Sequence, residues 1–104
     1  MSAPITPDHI DPVIHERVRL SIVSTLAMVQ EMSFNDIKQT LALTDGNLST
    51  HARKLENSGY IKIEKSFRGR RPYTAMRLTR KGRMAYQKYL MLLKEIIEQS
   101  REAT

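Results

Sequence analysis

The sequence predicts a mainly α-helical domain with one β-hairpin and a long closing helix, and three observations carry that reading. Apolar residues recur at helical spacing in short stretches up to Gly59. The period then drops to two on either side of an arginine-rich turn. A final stretch, residues 79–100, returns to helical spacing with an apolar face wider than one small domain requires.

The chain has 104 residues, enough for one compact domain and too few for a second with its own core. Residues 1–10 hold Pro4, Pro7 and little apolar material, and read as a flexible tail. Residues 11–104 read as one domain. Asp11 and Pro12 form an N-cap and N1 pair for a first helix, in which Val18, Ile22, Thr25, Leu26 and Val29 recur at helical spacing to about Met28. Ser33 with Asp36 resembles a capping box. Behind it Phe34, Ile37, Leu41 and Ala42 form the stripe of a short second helix.

Leu43 and Thr44 make a tight connection, and Thr44 or Asp45 can cap a third helix. Its Leu48, Ala52 and Leu55 share one face, while Asn47, Thr50, Arg53, Lys54 and Asn57 fall largely on the other. Gly59 supplies its C-terminal stop. Ile61 and Ile63 then alternate with Lys62 and Glu64, and Met76 and Leu78 with Arg77, around a turn at Phe67–Pro72. Thr79 is a good N-cap for the last helix. That helix carries Ala85, Tyr89, Leu92 and Ile96 beside a second stripe of Tyr86, Leu90, Leu93 and Ile97.

The charge is unevenly placed. Overall the chain is +6, with 17 Lys and Arg against 11 Asp and Glu. Between Tyr60 and Arg83 there are nine basic residues and one acid, Glu64, whereas the other 80 residues hold eight basic and ten acidic groups. A hairpin tip cannot bury so many cations, and Lys65, Arg68, Arg70 and Arg71 can each neutralise a phosphate. A helix offering Asn47, Thr50, Arg53 and Lys54 fits a major groove, where Arg reads guanine and Asn reads adenine by paired hydrogen bonds.

Other classes fit less well. With no cysteine there is no disulfide, thiolate metal site or thiol switch, and His9, His15 and His51 are scattered, so no metal or cofactor is expected. No nucleophile, acid and base assemble into a catalytic set, and Glu16, Asp36 and Asp45 are explained as helix-start or surface residues. The chain is not expected to be an enzyme. RNA binding lacks the aromatic-bearing strands on which bases stack, and the basic residues lie off the apolar helix face that a membrane binder would use. No run is apolar enough to span a bilayer and no signal peptide opens the chain, so a cytoplasmic protein is expected. A docking module without site-specific DNA binding is the main alternative.

The ordered stretch LALTDGNLSTHARKLENSGYIKIEKSFRGRRPYTAMRLTRKGR resembles the winged helix-turn-helix regulators of the MarR and ArsR type, in their short single-domain form; the likeness runs from about Asp11 to Ile97. The resemblance implies a winged helix-turn-helix fold with a long C-terminal dimerisation helix. Residues 44–58 would be the recognition helix, with Asn47, Ser49, Thr50, Arg53 and Lys54 on DNA. Arg68 to Pro72 would form the wing tip, with Arg70 and Arg71 on DNA, and the terminal helices would make a dimer. The sequence offers Tyr86, Tyr89, Leu90, Leu93 and Ile97 to that dimer face; some of them must cover the first helix, yet both stripes cannot be buried on one short partner helix. The expected function is sequence-specific binding of a pseudo-palindromic double-stranded DNA site by a homodimeric repressor, with activation equally compatible with the residues.

Overall fold

A computed structural model describes residues 3–103. A single 3-10 turn, Pro7–His9, precedes helix α1 (Arg17–Leu26), strand β1 (Met32–Ser33), helix α2 (Phe34–Thr40), helix α3 (Asp45–Asn57), strands β2 (Ile61–Arg68) and β3 (Arg71–Leu78), and helix α4 (Arg80–Glu102). The three strands form an antiparallel sheet in the order β1-β3-β2.

Three local expectations need correction. The first helix begins at Arg17, not beside Pro12. The Asp11 carboxylate does accept from the amides of Val13 and Ile14, at 2.8 and 3.2 Å, but the turn it caps closes at once. Glu16 is extended and caps the helix proper, accepting from Val18 and Arg19 at 2.9 and 2.8 Å. Two caps in series hide the boundary, because Glu is not a favoured capping residue and Asp-Pro is. The helix also ends at Leu26, leaving Met28 80% exposed.

Ala42 lies outside α2. It adopts a left-handed φ of 53°, and the amides of Ala42 and Leu43 bond back to Gln39 and Lys38 at 3.3 and 2.9 Å. This is a Schellman ending built on alanine where glycine is usual, so residue type gave no warning. The wing turn is shorter than Phe67–Pro72. Strand pairing continues through Phe67↔Pro72 to Arg68↔Arg71, so that only Gly69 and Arg70 lie between the strands. Gly69 alone of the two has a positive φ (65°), which suits a tight hairpin turn with glycine first. Strand β1 was not foreseen; two residues are too few for alternation to register.

The core joins all layers. Ile22, Val23 and Leu26 from α1, Ile37 from α2, and Leu48, Ala52 and Leu55 from α3 pack on Ile61, Met76 and Leu78 of the sheet. The α3 stripe is as the sequence predicts, with all three residues fully buried.

The C-terminus of α3 meets the N-terminus of α4 at one crowded point. Gly59 takes φ 80°, and the amides of Gly59 and Tyr60 return to Glu56 and Leu55 at 2.9 and 3.0 Å, closing α3 with a second Schellman motif. Thr79 caps α4 by accepting from the Gly82 amide at 2.9 Å, while its hydroxyl donates to the Gly59 carbonyl at 2.6 Å. Its own amide donates to the Tyr60 carbonyl at 3.0 Å. Gly82 lies directly on Tyr60: a Cβ there would sit 2.0 Å from the Tyr60 carbonyl oxygen. The Tyr60 hydroxyl donates to Asp11 at 2.5 Å. Burial, with that hydrogen bond and the aspartate's charge, pushes the phenol up to about 12.

Helix α4 makes the molecule long. The principal extents are 60 × 25 × 21 Å and the radius of gyration is 16.0 Å, where a compact chain of this length has about 13 Å. The segment read as a tail lies along α4, with the Gln99 amide donating to the Ala3 carbonyl at 2.9 Å. Among the described residues no helix is long and apolar enough to cross a membrane.

Two glycines in helices separate close packing from propensity. Gly82→Ala is expected to lower stability in urea by about 3 kcal/mol, because backbone must move. Gly46→Ala, with nothing within 4 Å of the new methyl, is expected to raise it by about 0.5 kcal/mol. Equal effects at the two positions would show that the α3–α4 contact does not constrain the fold.

Candidate nucleic-acid interface

Helix α3 is held on three sides, which leaves its fourth side defined. Thr44 caps it by accepting from the Asn47 amide at 3.1 Å. Lys38 of α2 reaches Asp45 in its first turn at 2.9 Å, where a carboxylate also complements the helix dipole. His51 faces α1: its Nδ1 lies 3.1 Å from an Arg19 guanidinium nitrogen and 3.5 Å from a Glu16 carboxylate oxygen. Arginine has only donors, so Nδ1 accepts from Arg19 and His51 belongs to the packing behind α3. Asn47, Ser49, Thr50, Arg53 and Lys54 are all exposed, Asn47 on the flank beside Arg17, Ser21 and the α2–α3 turn.

The hairpin stands beside that face. By strand alternation one of its faces carries the pairs Ile63↔Met76, Lys65↔Thr74 and Phe67↔Pro72. The first two pairs, with Phe34, Ser49, Ala52, Arg53 and Glu56, line a groove of about 570 Å³ between α3 and the wing. Thus Ser49 and Arg53 of the helix and Lys65 of the wing, far apart in sequence, share one concavity. Arg70 and Arg71 lie at the tip, exposed and away from that groove.

The electrostatics are one-sided. Glu64, the single acid of the basic stretch, is occupied by Arg77 at 3.1 Å and Lys62 at 3.4 Å. Arg68 stacks on the Tyr73 ring, 3.8 Å from its centroid. No ion pair holds Arg53, Lys54, Lys65, Arg70 or Arg71 among the described residues. Charges left unpaired on one side of a small domain are available to an anionic partner. Sequence reasoning missed Phe34 and Glu56 in the groove, and gave no role to Phe67, which is 73% exposed near the wing tip. Alternation along β2 was the available signal for Phe67.

On α4 the two apolar stripes part company. Tyr89, expected in a dimer face, is 4% exposed and bonds through its hydroxyl to His15 Nδ1 at 2.8 Å, so it is spent inside the chain. Tyr86 packs half-buried on the core. Leu90 and Ile97 remain 43% and 53% exposed, with Leu93 half-buried between them.

A helix-turn-helix whose second helix stands clear beside a basic antiparallel hairpin defines a winged-helix DNA-binding domain. The chain belongs to the winged helix DNA-binding domain family, whose model matches residues 18–97. It is 37% identical over 78 residues to an uncharacterized protein of Methanocaldococcus jannaschii, covering 75% of this chain and 85% of that one. The structure of a transcriptional regulator homologue from Pyrococcus horikoshii superposes with a TM-score of 0.79 at 33% identity, covering 84% of this chain and 86% of the other. The YusO protein from Bacillus subtilis shares the fold at a TM-score of 0.74 and 17% identity, over 91% of this chain and 63% of its own. The family and fold are those of DNA-binding transcriptional regulators and not of enzymes.

Elution from a heparin column checks the electrostatics directly. Arg70→Ala with Arg71→Ala is expected to elute at lower salt than the parent chain. Glu64→Gln, which releases Lys62 and Arg77, is expected to elute at higher salt. Coincident elution of all three would show that these charges do not face outward together.

Proposed function

We propose that this protein is a cytoplasmic, homodimeric transcriptional regulator that binds a pseudo-palindromic double-stranded DNA site and acts by steric repression. The observation that carries the reading is the groove in which the exposed Ser49 and Arg53 of α3 meet the unpaired Lys65 of the wing. Helix α3 enters the major groove, about 12 Å wide, with Arg53 and Asn47 on base edges and Ser49, Thr50 and Lys54 completing the contact. Lys65, Arg68, Arg70 and Arg71 hold the flanking backbone or minor groove, fixing position without reading sequence.

The exposed residues of α4 support the dimer. A helix of 23 residues is about 34 Å long, and from its middle outward it carries Leu90, Leu93 and Ile97. Pairing two such helices about a two-fold axis covers these residues with their own kind. It also spaces two α3 helices by about 34 Å, one turn of B-DNA.

A mobility-shift titration against DNA upstream of the protein's own gene, with random duplex as competitor, tests the reading. Arg53→Ala is expected to cost about 1 to 3 kcal/mol on the preferred site and little on random DNA. Arg70→Ala with Arg71→Ala is expected to weaken binding to every sequence and to flatten the salt slope by about one per lost phosphate contact. Equal losses for Arg53→Ala on both duplexes would remove α3 from base reading, and no binding to any duplex at low salt would end the DNA-binding reading altogether.

Sedimentation tests the assembly. The parent chain is expected at twice 12.0 kDa, and Leu90→Glu with Ile97→Glu at the monomer mass, with unchanged helicity and weakened binding to a two-half-site duplex. A parent chain that sediments as a monomer at micromolar concentration refutes the dimer.

A further inference from the structure

Phe67 stands out once the hairpin is read pair by pair. Along the groove-side face the pairs run Ile61↔Leu78, Ile63↔Met76, Lys65↔Thr74, Phe67↔Pro72. Burial falls away in that order: Ile61 is 2% and Met76 1% exposed, Lys65 is exposed, and Phe67 is 73% exposed. The apolar character ends with the core at Ile63 and Met76, gives way to Lys65 and Thr74, and then returns at the tip. Four residues of strand carry Phe67 about 13 Å beyond Ile63, where nothing among the described residues covers it.

Directly opposed residues on one face of an antiparallel pair have their side chains in reach of each other. Phe67 and Pro72 therefore form a compact apolar edge rather than a stray surface residue. On the opposite face Arg68 stacks on Tyr73 and stiffens the hairpin behind it. Lys65 shares the face of this edge, Arg70 stands in the turn beyond it and Arg71 lies on the opposite face beside Arg68; no ion pair holds Lys65, Arg70 or Arg71 among the described residues, and residues 65–83 contain no acid. An apolar edge flanked by free cations suits a polyanion that also offers apolar surface. Duplex DNA does so when a base step opens toward the minor groove, and a protein partner would meet the same edge only by desolvating the cations.

We infer that Phe67, backed by Pro72, is an apolar wedge that opens a base step in the minor groove beneath the wing, so that the protein bends its site and prefers a flexible step there. The inference rests on the proposal that this chain binds duplex DNA. It adds a specificity determinant outside α3, one that acts through deformability instead of hydrogen bonds. Pyrimidine–purine steps such as TA and CA unstack most readily and A-tracts resist, so the wedge discriminates between them without touching a base edge. The neighbouring cations offset the phosphate repulsion that accompanies a bend.

The test uses the full chain and the duplex upstream of its own gene that it protects from cleavage, with TA, CA or AA placed at the wing-proximal step. Bending is read by circularly permuted probes, and unstacking by 2-aminopurine fluorescence at that step. The parent chain is expected to bend the duplex by at least about 20° and to raise the fluorescence. Phe67→Ala is expected to abolish both, to bind the TA and CA duplexes about tenfold more weakly, and to bind the AA duplex within about twofold. Its salt slope and melting temperature stay unchanged, since no charge or buried group is lost. Phe67→Leu, still apolar, is expected to restore the bend. A Phe67→Ala protein that bends and discriminates like its parent overturns the wedge, as does an equal loss on all three duplexes with the bend intact. If the parent protects no duplex, the regulator reading itself has failed.

Discussion

The placement of α3, the hairpin and α4, which together make the candidate DNA-binding surface, depends on the contact between the Tyr60 carbonyl and Gly82. There the end of the third helix, the start of the hairpin and the start of the last helix are pressed together so closely that a methyl group on residue 82 would sit 2.0 Å from a carbonyl oxygen. Thr79 locks the same point from the other strand, donating to Gly59 at 2.6 Å and accepting from Gly82 at 2.9 Å. Because the hairpin leaves and returns at this junction, its inclination to α3 is set here. So is the direction in which α4 leaves the body. The unit is a rigid corner, and close packing makes such corners resist small adjustments.

That rigidity gives the charge its meaning. Five cations with no partner on a flexible chain would be a solvated surface. Held on α3 and the hairpin, with Arg53 and Lys65 in one groove and Arg70 and Arg71 at the wing tip, they become a directed field. The one nearby acid is neutralised by Lys62 and Arg77, and Arg68 is laid on Tyr73 instead of being left free. Exposed pairs of this kind contribute little stability. Their effect is to decide which cations stay available.

Much of the fold was legible in the residues, and the reasons are local. The α3 stripe of Leu48, Ala52 and Leu55 could be read because a helix repeats its face over three turns. Thr44, Ser33 and Thr79 were legible as caps, since a short side-chain oxygen before a helix has one favoured use, and each accepts the expected amide. What escaped was also local, but lacked a marker. Glu16 caps α1 in place of Asp11; Ala42 adopts the turn conformation that glycine would have announced; the short strand β1 is too brief to show a period. The site divides in the same way. The candidate residues of α3 and the wing could be read from their types as exposed, but Tyr89 could not be told from Leu90. Both lie on apolar stripes, and only the position of His15 shows which stripe turns inward.

The sequence by itself determined the order of the four helices and the hairpin, the helix stops and starts at Thr44, Gly59 and Thr79, and the concentration of positive charge between Tyr60 and Arg83. Each of these is a property of neighbours in the chain or a sum over residues. Only the tertiary structure decided that Arg53 and Lys65 line one groove, that Glu64 is already occupied, that Tyr89 is interior and Leu90 is not, and that Phe67 stands beyond the core. These depend on distances between segments remote in sequence, which are fixed by packing at the Tyr60–Gly82 corner and by strand register, and no local pattern encodes either.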